Sequence, residues 1–121
     1  MTISPKPNLQ LVYVSDIKDS AAFYTKLFNA KPVTEMDNYV AFSAGGEAIF
    51  AICSMKKPDA DTPRYSEIGI MLPSEDDVNR FFETCKNEVG AKVVQEPITE
   101  PYGRTFVIAD PDGHIIRICL K

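Results

Sequence analysis

The sequence predicts an α+β fold built from two tandem βαβββ modules, whose strands form a curved mixed sheet around a cleft. Three observations predict it. A strand–helix–strand order occurs twice, a single linker-like stretch separates the two occurrences, and short matching segments recur in both halves. The first module covers about 8–54, the linker 55–63 and the second module about 64–121. At 121 residues the chain has the size of one domain.

The elements follow in order. Leu9 to Val14 (LQLVYV) reads as a strand, rich in β-formers and partly alternating. Asp16 then offers a carboxylate to the open N–H groups of a helix, and Asp19 adds an acid in the first turn. Ile17, Ala21, Tyr24 and Phe28 form one stripe at helical spacing, with Phe23 and Leu27 beside it. Asn29 suits a left-handed C-cap. Short strands are expected over Val33 to Met36, Tyr39 to Ser43 and Ala48 to Cys53, the last two joined through Ala44-Gly45-Gly46. Met55 to Pro63, with two prolines and four charges, is the linker.

The same order then returns. Glu67 to Leu72 is a strand, and Ser74 caps a helix whose first turn carries Glu75, Asp76 and Asp77. Val78, Phe81, Phe82, Cys85 and Val89 make its apolar stripe, and Gly90 closes it. A strand begins at Val93-Val94, another covers Thr105 to Ala109, and Ile115 to Leu120 ends the chain after the tight turn Asp110-Pro111-Asp112-Gly113. Residues 29–35 and 90–96 share Ala, Lys, Val and Glu at one constant offset. That offset also lays Ile17, Ala21, Tyr24 and Phe28 on Val78, Phe82, Cys85 and Val89. Both halves close on an Ile-Cys strand, at Cys53 and Cys119. Two copies are too few for a solenoid, so two half-sheets facing a cleft are the natural packing.

Composition excludes several classes. The apolar fraction is 45% and the charged fraction 25%, which supports a folded core. The net charge is −4 and the 13 basic residues are scattered, which argues against nucleic acid as a partner. No apolar run approaches the ~18 residues of a membrane span, and the polar, proline-containing start, Met1 to Asn8, is unlike a secretory signal. Three cysteines without CxxC spacing read as free thiols of a cytoplasmic protein. A single histidine, His114, excludes a His-rich metal site within one chain. Its place after the DPDG turn reads as a half-exposed residue in the turn's hydrogen bonding rather than as a general base.

The order strand–helix–three strands, twice, with VSDIKDSAAFYTKLF (Val14 to Phe28) and FVIADPDGHIIRI (Phe106 to Ile118), resembles the vicinal oxygen chelate superfamily, which includes glyoxalase I, extradiol dioxygenases and the bleomycin resistance proteins. The segments Pro7 to Asp16, Arg64 to Pro73 and Gly103 to Cys119 are most similar to the phenazine antibiotic resistance proteins within it. That resemblance implies binding of a flat tricyclic compound between aromatic and polar side chains, no metal or other cofactor, and a homodimer in which a second chain completes the cleft. The metal positions of the superfamily fall here near Leu9, Ala51, Glu67 and Arg117. Leu9 and Ala51 have no donor atom and Arg117 is a fixed cation, so Glu67 alone could ligate, whereas a catalytic metal needs about three protein ligands.

If those positions point inward, alternation turns Leu9, Leu11, Tyr13, Ala51, Cys53, Glu67, Gly69, Met71, Arg117 and Cys119 to the cavity. Val12, Val14, Ile68, Ile70 and Leu72 then pack on the helices. Gly69 leaves room for a flat ring or marks a bulge or close sheet contact, two readings of equal weight. Tyr39, Phe42, Tyr102 and Phe106 can supply stacking faces, although any one such residue is more often simply core. Arg104 and Arg117 could hold a carboxylate in a fork, with an exposed ion pair as the plainer role for Arg104. Cys53 stands where the resemblance calls for a large aromatic. A thiol there leaves less stacking surface, which bears on the identity of the ligand rather than on the binding role. The expected ligand-binding set is therefore Tyr39, Phe42, Cys53, Glu67, Gly69, Tyr102, Arg104, Phe106 and Arg117, with no catalytic residue. The function expected is metal-independent binding of a planar aromatic compound, of phenazine type, with resistance by sequestration. One rival is a metal-dependent glyoxalase-like isomerase or dioxygenase with an atypical site at Glu67 and Glu47; the other is an interaction module whose vestigial cavity is plugged by its own side chains.

Overall fold

The computed structural model describes residues 3–63 and 65–121. Met1 and Thr2 of the N-terminal segment, and Arg64, which opens one of the matching segments, lie outside the described residues. By their contacts the residues divide into two units, Met1–Pro58 and Asp59–Lys121, and the boundary falls inside the expected linker.

In the first unit β1 (Leu9–Tyr13) leads into α1 (Ile17–Phe28). The Asp16 carboxylate accepts from the Asp19 N–H at 3.0 Å and starts the helix. Asn29 stops it in the left-handed region, at φ 49°, with its N–H donating to the Lys26 carbonyl. Three antiparallel strands follow: β2 (Thr34–Met36), β3 (Tyr39–Ser43) and β4 (Ile49–Cys53). The sheet order is β1-β4-β3-β2, with β1 parallel to β4. The parallel pair is closed by the long crossover through α1, as a parallel pair requires. Aromatic rings fasten the helix to the sheet. Tyr24 lies 5.0 Å from Phe50, and Phe28 lies 5.3 Å from Phe42 and 5.5 Å from Phe50, ring centre to ring centre.

The second unit repeats the plan with β5 (Ile68–Leu72), α2 (Glu75–Thr84), β6 (Lys92–Glu100), β7 (Gly103–Ala109) and β8 (Ile115–Leu120). Its sheet order is β5-β8-β7-β6, again with the first and last strands of the module parallel. Ser74 caps α2 by accepting from the Asp77 N–H at 3.1 Å. Phe106 is fully buried, 5.2 Å from the Phe82 ring and 6.3 Å from that of Phe81. The DPDG turn is held by Asp110, whose carboxylate accepts from the Asp112 and His114 N–H groups at 2.9 and 2.8 Å. His114 is half-buried, and its carbonyl accepts from the Asp110 N–H, which places it in the hydrogen bonding of the turn.

Two expectations about the repeat need correction. The constant offset holds at the helix ends but not at their starts. Gly90 follows Asn29 by 61 residues, whereas Ser74 follows Asp16 by 58. The three extra residues continue α2 through a π-helical turn, Cys85–Val89, which ends on Gly90. Val78 thus matches Ser20, not Ile17: each donates its N–H to the carbonyl of its own cap residue. Ser20 is accordingly buried on the stripe of α1, while Ile17, Ala21 and Phe28 are only half-buried. The second concerns β6, which starts at Lys92, one residue before the expected start at Val93-Val94, and runs for nine residues to Glu100. Irregular register near Gln95 and an edge position accommodate Pro97, which has no N–H for a ladder.

Candidate functional site

Strand alternation gives each sheet one face toward its own helix and one face away from it. In the second unit Phe106, Ile116 and Ile118 occupy the helix side and are fully buried. On the other side Arg117 stands directly across from Gly69 on β5 and from Val107 on β7. Glu67 immediately precedes β5, and Tyr102 lies in the short connection between β6 and β7.

These residues form one hydrogen-bonded group. The Arg117 Nε donates to Glu67 Oε1 at 2.8 Å and its Nη2 donates to Glu67 Oε2 at 3.1 Å, a two-pronged pair. The Nη1 donates to the Tyr102 hydroxyl at 3.1 Å and to Thr105 Oγ1 at 3.3 Å. Thr105 is fully buried and gives its own hydroxyl proton to the Ile118 carbonyl at 2.7 Å, so toward Arg117 it can only accept. The guanidinium is therefore held in one orientation from three sides. Its hydrogen bonds to Glu67 hold that carboxyl below the usual carboxylate range, against a smaller opposing effect of burial. The same pair raises Arg117.

Gly69 is the vacancy beside this group. A methyl group added to it would meet nothing within 4 Å, its φ is not in the left-handed region, and the register between β5 and β8 is regular. Neither a bulge nor a close contact accounts for the glycine. Gly103 is the contrast. Its φ is +116°, and an added methyl would come within 2.5 Å of the Leu120 side chain. On the same face Met71 is 62% exposed, an apolar surface beside the vacancy. An open surface hollow of about 580 Å³, lined by Tyr65, Ser66, Glu67 and Ile115, adjoins the group at Glu67.

The first unit has its own row on the sheet face away from α1. Tyr13, Cys53 and Tyr39 are direct neighbours across β1, β4 and β3. Cys53 is buried, Tyr39 half-buried and Tyr13 more exposed, with the Lys56 ammonium 5.7 Å from the Tyr13 ring centre.

Of the expected site residues, Glu67, Gly69, Tyr102 and Arg117 come together in the second unit, and Tyr39 and Cys53 adjoin in the first. Three do not reach such a face. Phe42 and Phe106 are core rings, fixed on the helix side by the parity of β3 and β7. Arg104 shares the parity of Phe106, and its guanidinium donates to Asn79 of α2 at 3.0 Å and to Thr99 at 3.2 Å. The carboxylate fork expected of Arg117 is also filled, by Glu67. Thr105 escaped the sequence reading, although a lone polar residue in the apolar run TFVIA was its signal.

The residues do not fit a divalent ion. Leu9 and Ala51 offer no donor, and both Glu67 oxygens accept from a guanidinium. Among the described residues no three His, Cys, Asp or Glu side chains cluster as a metal site would need. Glu47 lies exposed in the β3–β4 hairpin of the other unit.

The model of the Glyoxalase/Bleomycin resistance protein/Dioxygenase superfamily matches residues 7–118. The chain belongs to that superfamily. A phenazine antibiotic resistance protein, EhpR of Enterobacter agglomerans, is 50% identical over 116 residues, 93% of this chain and 90% of the relative. A glyoxalase-related enzyme from Fulvimarina pelagi superposes with a TM-score of 0.82 at 19% identity, over 96% of this chain and 88% of its own. The fosfomycin resistance protein FosX of Mesorhizobium loti gives 0.73 at 19% identity, over 97% and 92%. At such identities the two structures show the superfamily's fold alone. No helix among the described residues is long and apolar enough to cross a membrane.

Proposed function

We propose that this superfamily member binds a planar aromatic small molecule of phenazine type without a metal ion, and gives resistance by sequestering it. The observation that carries the reading is the vacancy at Gly69 beside a guanidinium immobilised by Glu67, Tyr102 and Thr105. A flat ring laid over Gly69 buries apolar area against Met71 and the stem of Arg117, while its polar edge meets fixed hydrogen-bonding groups. A merely structural strand would place a β-branched residue at position 69. The phenazine resistance relative, at half identity, supports the choice of ring system. Sequestration needs affinity and stoichiometry but no chemistry, and the two-pronged pairing of Glu67 with Arg117 agrees with that. The two modules acting as one domain, a homodimer and a cytoplasmic location belong to the same proposal.

A thermal-shift titration of chelator-treated protein with phenazine and its derivatives tests the reading. Ligand at 100 times its Kd adds ~2.7 kcal/mol of stability at one site, a rise of several degrees for a chain of this size. A saturable rise supports the proposal. No rise with any phenazine, and a rise on adding a divalent ion, refutes it in favour of a metal-dependent enzyme.

A further inference from the structure

The outer end of the β6–β7 hairpin is set apart from the sheet that carries it. From Ile98 to Thr105 its two arms pair regularly with each other, at Ile98–Thr105, Thr99–Arg104 and Glu100–Gly103. Inward of Ile98 the register of β6 slips twice, between Val93 and Gln95 and again between Gln95 and Ile98. Pro97 sits inside the second slip and has no N–H to give to a ladder. On the other arm, the register of β7 with β8 ends at Phe106–Ile118. The tip is therefore a short hairpin of its own, with an irregular strand behind one arm and the end of a ladder behind the other.

Side chains fasten this tip. At its base the buried Thr105 donates its hydroxyl to the Ile118 carbonyl at 2.7 Å, and on the helix side Arg104 donates to Asn79 at 3.0 Å. Gly103 lies against the Leu120 side chain. Nearest the free end, the Tyr102 hydroxyl accepts from Arg117 Nη1 at 3.1 Å. Tyr102 is 56% exposed, and Ile98, which faces the same side as Thr105 and Arg117, is 40% exposed. The tip thus carries two large apolar side chains beside the ligand face. A segment with few ladder bonds and exposed fastenings is one that opens locally at low cost.

We propose that the hairpin tip, residues 98–105, is a flap over the Arg117–Gly69 face, with Tyr102 as its latch on Arg117 and the slips around Pro97 as its hinge. Release of the latch clears a path to the vacancy at Gly69, and latching again brings Tyr102 and Ile98 against the bound ring. The ligand-binding reading above supplies what the flap admits; the flap itself is tested without ligand.

NMR relaxation dispersion of the backbone amides is measured on ligand-free wild type and on Tyr102→Phe, which keeps the ring and removes one exposed hydroxyl. Residues 98–105 should share one exchange process that Val107 and Ile108 lack. Loss of a hydrogen bond to a charged group should raise the open population about tenfold. Stopped-flow mixing of chelator-treated protein with phenazine then reads kon, which should rise at least about threefold in Tyr102→Phe, because a freed flap admits ligand more often; loss of a mere contact would raise koff alone. No dispersion in residues 98–105, dispersion unchanged by Tyr102→Phe, or an unchanged kon overturns the proposal and leaves the binding reading intact. Dispersion that responds to Tyr102→Phe with no binding of any phenazine supports the flap and overturns the binding reading.

Discussion

Replacing Gly69 with valine should move stability and ligand affinity in opposite directions. Glycine inside a strand costs roughly 0.5–1 kcal/mol relative to alanine, because the unfolded chain loses more freedom on ordering. Position 69 pays this cost without a compensating need. Its φ suits any residue, and an added methyl meets no atom within 4 Å. A β-branched side chain there also packs along the stem of Arg117, its cross-strand neighbour. A gain of about 0.5–1 kcal/mol follows, which for a chain of this length raises Tm by about 2–5 °C. The valine methyls would occupy the space assigned to the flat ring. Affinity for the tightest-binding phenazine should fall at least tenfold, or ~1.4 kcal/mol. Differential scanning calorimetry and calorimetric titration of Gly69→Val give both numbers. A lower Tm would mean that the glycine serves the fold. An unchanged Kd would mean that no ligand lies over position 69. Either result refutes the reasoning.

Other expectations follow from the same geometry. Arg104→Met removes hydrogen bonds to Asn79 and Thr99 on the helix side; denaturant unfolding should show a loss of about 0.5–1.5 kcal/mol, with ligand Kd changed by less than twofold. Burial pushes the Cys85 thiol up to about 12, so mass spectrometry after alkylation at pH 8 should find Cys119, half-buried two residues beyond Arg117 and on the same sheet face, modified well before Cys85. Saturating phenazine should slow modification of Cys119. Arg117 lowers Glu67, so the pair's contribution is present above the ordinary glutamate value of about 4.3 and is lost as pH falls through the lower folded value. An NMR titration of the Glu67 side chain should show that midpoint rise toward the ordinary value in Arg117→Met.

Much of the fold was legible because local and periodic signals agreed. Asp16 and Ser74 cap the two helices, and Asn29 and Gly90 end them in left-handed conformations. Short-range chemistry of this kind does not depend on distant packing. The run beyond Val94 was hidden by Pro97 and by polar residues, which an irregular edge strand tolerates and a regular one does not. The constant offset between the halves misled at the helix starts, since a π-helical turn can absorb inserted residues without changing the cap that follows.

The candidate site divides in the same way. Parity along β5 and β8 puts Gly69 and Arg117 on one face, and the ion pair with Glu67 follows from charge and proximity. Parity was not carried to β3 and β7, which is why Phe42, Arg104 and Phe106 entered the set. The pairing of Phe106 with Ile118 turns both to the helix and leaves Thr105 beside Arg117. Aromatic residue type alone does not separate a stacking face from a core ring, and only register does.

The most direct test of metal-free recognition is the Kd of phenazine for chelator-treated protein, measured calorimetrically before and after a divalent ion is restored. The account predicts saturable binding with the same Kd in both conditions. Binding that appears only once the ion is returned would contradict it.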